Sequence, residues 1–261
     1  MTVYDDLKGK VALITGGGGG LGAAVAKAFL AQGCKVALVD VAAEALAKVA
    51  ADLSAAKGHL LTLTADVSNE DDVKAYVAAT VKAFGTIDIF FNNAGIEGKV
   101  APLVQQNMAD VDRVFAINIR GTYLGLKYVL PVMYAKKSGS VINTSSVGGL
   151  TAGPALGVTP YVTSKFAITG LTRLVANESA VYNVRVNSLH PSPVNTMMMR
   201  RLEEGFAPGH SEQAKEGIAA SIPLGRYAEA DDIANAVLFL ASEASGFITG
   251  DQLRVDGGQL N

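Results

Sequence analysis

Tyr161 and Lys165 stand four residues apart, so on a helix they share one face. A phenol titrates near ~10 in water and is a poor proton donor or acceptor at neutral pH. An ammonium one helical turn away favours the phenolate and draws the phenol toward usable acid/base chemistry. Upstream, the apolar run from Ser140 to Thr144 reads as a strand and ends in Ser145-Ser146. A hydroxyl at such a strand end can hold a carbonyl oxygen while hydride moves to or from its carbon. Successive side chains of an extended segment point to opposite faces, so one of the two serines does this. Taken alone, Tyr-x-x-x-Lys reads as a solvated helix pair; its force comes from what precedes it.

The element that must position this chemistry is the stretch KVALITGGGGGLG, Lys10 to Gly22. Val11 to Ile14 form the uninterrupted apolar run of a strand buried on both faces of a parallel sheet, and a turn starts at Thr15. Gly16, Gly20 and Gly22 stand where a backbone without Cβ atoms can turn sharply, admit a pyrophosphate and pack the next helix on the strand. That helix, Leu21 to Ala31, aims free N–H groups and its positive dipole end at the turn. A dinucleotide cradle is predicted; the alternative is a glycine hinge. The next strand, Lys35 to Asp40, ends in a carboxylate 18 residues beyond Gly22, where an acid accepts from the adenosine ribose hydroxyls. A carboxylate there repels a 2′-phosphate, and neither Val41 nor Gly17 to Gly19 supplies a cation. The expected cofactor is therefore NAD(H) over NADP(H). The alternative for Asp40 is a cap on the helix starting near Ala43.

The remaining elements alternate. A helix over Ala43 to Ala55 leads to a strand over Leu60 to Ala65. Asp66-Val67 follows, meeting the adenine or serving as a plain turn. Ser68 and Asp71 form a start signal for a helix reaching Phe84. A fourth strand, Ile87 to Phe91, finishes in Asn92-Asn93-Ala94-Gly95, where small residues let the backbone approach a flat cofactor and amides brace neighbouring strands. Helical pattern then runs from Ala109 to Lys136. Asn118 costs stability amid Phe115, Ala116, Ile117 and Ile119, so it bonds something specific. Val184 to Leu189 and Gln252 to Val255 read as strands and Asp231 to Ala241 as a helix. The pattern predicts an α/β fold, a doubly wound parallel sheet of about seven strands with helices on both faces, in one domain over 1–261.

The bulk properties agree. At 261 residues and 49% hydrophobic, the chain can bury a sizeable core. A net charge of -2 leaves no basic footprint for nucleic acid. The single Cys34 excludes an internal disulfide framework, and the absence of Cys/His clusters argues against a metal site. The first ten residues have no apolar signal core, and no apolar run approaches ~18 residues, so no membrane partner is expected. A soluble, cytoplasmic protein with a small-molecule substrate follows.

Over essentially its whole length the sequence resembles the short-chain dehydrogenase/reductase family. Thr15-Gly16-x-x-x-Gly20-x-Gly22 matches its TGxxxGxG, Asn92 to Gly95 its NNAG, and Tyr161 with Lys165 its YxxxK. Asn118 and Ser146 match its other catalytic positions, and Ser146-Val147-Gly148-Gly149 favours Ser146 over Ser145. The resemblance implies a Rossmann-like fold and NAD-linked interconversion of a secondary alcohol and a ketone. Tyr161 is then the acid/base, Lys165 binds the nicotinamide ribose and lowers the tyrosine pKa, Ser146 orients substrate, and Asn118 anchors a water in a proton relay. Leu21, Asp66, Val67, Asn93, Ala94 and Gly95 would contact cofactor. So would Pro191, Val194 and Thr196, although Ser192 replaces the glycine of the family's Pro-Gly. With the acid/base supplied by Tyr161, His190 reads as structural. The loop from Ser146 to Tyr161 is longer than is usual in the family.

Residues 195–222 correspond to the family's substrate lid, with Gly148, Met197 and Met198 as candidate substrate contacts. Adaptable methionines suit a bulky apolar substrate; the alternative is that they pack into the core. Asn93 to Lys99 and the SVGG stretch are similar to levodione and cyclic-ketone reductases, implying a small cyclic or aromatic substrate. Carrier-protein reductases and sugar dehydrogenases of the same family, or a non-catalytic dinucleotide sensor, are the alternatives. The family also implies a homotetramer.

Overall fold

A computed structural model describes residues 2–53, 58–152 and 157–261. Seven strands form one parallel sheet: β1 (Val11–Thr15), β2 (Lys35–Asp40), β3 (Leu60–Thr64), β4 (Ile89–Asn92), β5 (Gly139–Thr144), β6 (Val184–Pro191) and β7 (Gln252–Val255). Their spatial order is β3-β2-β1-β4-β5-β6-β7, and every pairing is parallel. The order reverses between β1 and β4, which opens a crevice beyond their carboxyl ends, the place where doubly wound sheets take ligands.

Helices cover both faces. On one face α1 (Gly20–Ala31) and α9 (Ala230–Ala241) bury Val25, Phe29, Ile233 and Val237 against Ile14, Leu38 and Ile142. On the other, α3 (Glu70–Phe84) and α5 (Gly121–Lys136) bury Val73, Tyr76, Val129 and Met133 against Leu13, Phe90 and Val141. β1 is buried at all five positions, as a strand covered on both sides must be. α2 (Ala43–Asp52), α4 (Met108–Phe115) and α6 (Thr159–Ala180) complete the layers, and α7 (Met197–Phe206) and α8 (Ser211–Ala220) stand over the crevice.

The structure alters several boundaries. α3 is capped by Asn69, whose side chain accepts from the Asp71 and Asp72 N–H groups, and not by Ser68, whose hydroxyl donates to Asp66. β4 starts at Ile89 and runs through Asn92; Ile87 is buried but precedes the ladder. The predicted helix from Ala109 to Lys136 is two helices joined by a π-turn over Ala116–Arg120, with Asn118 at its centre. The segment 197–222, for which the sequence suggested no elements, holds α7 and α8. The end of the predicted second helix at Ala55 and part of the loop before Tyr161 (153–156) lie outside the described residues.

Candidate active site

Thr15 ends β1, and its hydroxyl accepts from the Asn93 and Ala94 N–H groups at 2.9 and 3.1 Å. Asn93 Nδ2 donates back to the Thr15 carbonyl at 3.0 Å. Thr144 donates to Asn93 Oδ1, and Asn92 Nδ2 donates to Asn143 Oδ1 and to the Thr122 carbonyl. The amides therefore brace the strand ends on both sides of the crevice, as the sequence led us to expect. Thr15 entered that reading only as part of a motif. A hydroxyl closing an apolar strand just before a glycine is the signal that could have marked it as a clamp.

The turn after β1 is shaped by what it leaves out. Gly16 has φ 71°, and a Cβ at Gly22 would lie 2.3 Å from the Gly16 carbonyl oxygen. A Cβ at Gly20 would instead find only Thr196 Cγ2, at 3.9 Å across the cleft. No side chain caps α1, so its first-turn N–H groups face this gap. The gap is the kind of cradle a pyrophosphate fills, and these residues fit a dinucleotide there.

Asp40 borders the same space. Its carboxylate accepts from the Gly18 N–H at 2.9 Å and the Ala42 N–H at 3.0 Å. Its second partner, Ala42, is the cap residue of α2, so the carboxylate joins the start of that helix to the glycine turn. Among the described lining residues the cations are Lys165 and Arg201, and no lysine or arginine stands beside Asp40. Gly16, Gly20, Leu21, Gly22, Asn93, Ala94, Gly95, Pro191, Val194 and Thr196 all line the cleft. Asp66 and Val67 do not. The Asp66 carboxylate accepts from the Ser68 N–H and hydroxyl at 2.8 and 2.7 Å, and Val67 is buried close to Gly121.

Tyr161 and Lys165 occupy the first two turns of α6. Lys165 is 3% exposed, donates to the Thr144 carbonyl at 2.8 Å, and lies 5.4 Å from the centroid of the Tyr161 ring. Burial pushes its ammonium down to about 8. Burial also raises the Tyr161 phenol, a hydrogen bond with Ser146 lowers it, and the Glu97 carboxylate raises it again. The ammonium is turned to a strand-end carbonyl, and desolvation dominates.

Ser146 faces the cleft, and its hydroxyl accepts from the Gly148 N–H at 3.1 Å. Ser145 turns the other way and donates to the Lys165 carbonyl at 2.9 Å. Alternation along the strand end thus separates the two serines, as argued from the sequence. His190 is fully buried; its Nδ1 donates to the Ser146 carbonyl at 2.8 Å, and its Nε2 lies 2.8 Å from Ser188 Oγ. Its role is structural, holding the serine segment. Ser192 needs no left-handed backbone and donates its N–H to the Val255 carbonyl, so the missing glycine is absorbed by extension of β6.

Asn118 is also fully buried. Its amide exchanges two hydrogen bonds with Ile96, one with the N–H and one with the carbonyl, each at 2.9 Å, and donates to Ser164 Oγ at 2.9 Å. This is the specific partner its place in an apolar helix demanded, and the π-turn is how the helix accommodates it.

The cleft encloses about 1070 Å³. Beyond Tyr161 its walls are mostly apolar: Val100, Val158, Val162, Leu202, Phe206 and Ile218. The methionines divide: Met199 is buried with Ile222 and Tyr227, while Met197 is 70% exposed, and all three border the cleft. Glu97 and Arg201, which the sequence reading did not place in the site, meet over this end. The signal available for Glu97 was an acid just past the small residues of a strand end.

Comparison with known proteins decides the family. A family model described as enoyl-(acyl carrier protein) reductase matches residues 17–259. The chain belongs to the short-chain dehydrogenase/reductase family. As a member it is an oxidoreductase that interconverts alcohols and ketones with a nicotinamide dinucleotide. It is 43% identical to levodione reductase of Leifsonia aquatica over 253 residues, covering 96% of this chain and 94% of that one. The crystal structure of a levodione reductase superposes with TM-score 0.93 at 40% identity, covering 99% and 98% of the two chains. A 2,5-dichloro-2,5-cyclohexadiene-1,4-diol dehydrogenase of Sphingobium indicum is 38% identical over 97% of this chain and 98% of its own. NAD+-bound xylitol dehydrogenase superposes with TM-score 0.91 at 33% identity, covering 97% and 99%.

Proposed function

We propose that the protein is an NAD(H)-dependent secondary-alcohol dehydrogenase and ketone reductase acting on a small, cyclic, largely apolar substrate. The observation that carries this reading is the meeting of Tyr161, Ser146 and Lys165 on one wall of a cleft whose far wall is apolar and whose other end is the glycine cradle beside Asp40. A relative whose name specifies a cyclic compound, the cyclohexadienediol dehydrogenase, supports the substrate class. The Asp40 carboxylate, with no cation beside it, supports NAD(H).

Seated in the cradle, the dinucleotide supplies or accepts the hydride. The protein's residues handle the oxygen. In reduction Tyr161 donates its proton to the carbonyl oxygen as charge develops there, and in oxidation it takes the proton from the alcohol. The Ser146 hydroxyl donates a hydrogen bond to the same oxygen and fixes its distance from the phenol. Lys165, held by the Thr144 carbonyl, would stabilise negative charge on the phenol oxygen and hold the nicotinamide ribose of a bound dinucleotide. Asn118 keeps the loop after β4 in place, α7 and α8 form the lid over residues 195–222, and Gly148, Met197 and Met198 border the substrate.

The same reading has the protein working as a homotetramer in the cytoplasm, without nucleic acid or membrane as partner. Exposed Tyr123, Phe166 and Leu174 on α5 and α6 supply apolar surface for assembly. Among the described residues no helix is long and apolar enough to cross a membrane. Replacing Tyr161 by Phe tests the core of the proposal. Turnover of cyclic ketones should vanish while NADH fluorescence still reports binding; retained turnover removes Tyr161 as the acid/base.

A further inference from the structure

Glu97 is 7% exposed although it sits in the loop after β4, between Gly95 and Val100, which line the cleft. Its position is fixed from behind, because the Asn118 amide grips both the N–H and the carbonyl of the preceding residue, Ile96. Its carboxylate is met from the front by Arg201 of α7, Nε to Oε1, with a second contact from the guanidinium to Oε2 at 3.4 Å. The two residues are 104 positions apart. α7 lies close on the same loop, since a Cβ at Gly205 would come within 2.5 Å of Val100 Cγ2. A nearly buried carboxylate is stable only when paired, and the fork of an arginine matches it in two places.

We propose that Arg201 is a positioning residue for the acid/base, acting through Glu97: seating α7 on the loop after β4 sets the charge beside Tyr161 as it covers the substrate. This rests on Tyr161 being the acid/base. The groups that act on that phenol are Lys165 from α6, Ser146 from just beyond β5 and Glu97 from the loop. His190 of β6 is one residue removed, behind Ser146. His190 is pushed down to about 4 by burial, and the one acidic side chain of this set is Glu97. Glu97 opposes ionisation of the phenol, and its hydrogen bonds raise the guanidinium of Arg201, the mark of a pair that holds each other's charge. Unpaired, the carboxylate would weigh fully on Tyr161. Arg201 is the cleft-lining cation of α7, and its pairing with Glu97 withholds it from an anionic substrate, in keeping with a neutral cyclic one.

The test is the pH profile of kcat/KM for oxidation with NAD+, using the best substrate among cyclohexanol, 2-tetralol and 1-phenylethanol. Arg201→Gln should move the rising limb up by about half to one pH unit, and Glu97→Gln should move it down. In the Glu97→Gln background, Arg201→Gln should move it by less than a third as much as it does alone. Arg201→Lys, which keeps the charge, should restore most of the original profile. An unmoved limb in Arg201→Gln, or the same shift with and without Glu97, overturns the inference. Tyr161→Phe separates the two levels. If it retains turnover, both the function and this inference fail. If it is inactive while Arg201→Gln leaves the limb in place, only the role of Arg201 fails.

Discussion

The His190 ring donates from Nδ1 to the carbonyl of Ser146 at 2.8 Å, so a buried imidazole holds the backbone of the serine proposed to bond the reacting oxygen. Burial pushes His190 down to about 4, and the unfolded chain titrates near 6.5. Between those values the unfolded state binds the extra proton, so stability rises with pH across this window and is lost as pH falls through it. The loss from this residue reaches up to about 3 kcal/mol at pH 4. His190→Gln, which can still donate to the Ser146 carbonyl, should flatten that slope. Thermal melts from pH 4 to 7 on both proteins check this; parallel curves would contradict it.

Asp40 accepts from Gly18 and Ala42 and borders the cradle, so it shapes the turn and sets the charge at once. Asp40→Ala should lower kcat/KM with NADH and shift the NADH/NADPH selectivity ratio toward NADPH by about tenfold, near 1.4 kcal/mol. Steady-state rates with both cofactors decide it. A wild-type protein that already prefers NADPH would defeat the premise.

The glycines of the turn should fail in different ways. In Gly22→Ala the new methyl meets the Gly16 carbonyl at 2.3 Å, so the fold should lose about 1–3 kcal/mol. In Gly20→Ala the methyl enters open space, so melting should barely change while the dissociation constant for NADH rises. Melting curves with and without NADH distinguish the two, and equal destabilisation would contradict the assignment of Gly20 to the cradle.

The parts of the molecule that were legible in the sequence are those in which local pattern and tertiary role coincide. β1, its turn and α1 read directly because a parallel strand covered on both faces is a continuous apolar run and the turn needs glycines wherever it lies. Tyr161, Lys165 and Ser146 were legible by spacing and strand-end position. The start of α3 was misplaced because Ser68 and Asn69 are adjacent capping residues, and which one accepts from the helix is settled by Asp66 taking the Ser68 hydroxyl. α7 and α8 escaped because Pro208 and Gly209 interrupt their pattern and their apolar faces are completed by Ile222 and Tyr227 beyond them. The electrostatics of Tyr161 escaped because they depend on burial and on Glu97, which no spacing rule connects to it.

The π-turn at Ala116–Arg120 has a consequence for the phasing of the helix that follows. One additional residue in a helical turn rotates everything after it by ~100° relative to an uninterrupted α-helix. The face of α5 that packs on the sheet, with Leu126, Val129 and Met133, is therefore aimed by the same local insertion that admits the Asn118 amide. Deleting a single residue there would swing that face off the β-layer, so the helix behaves as a keyed shaft whose key is an asparagine.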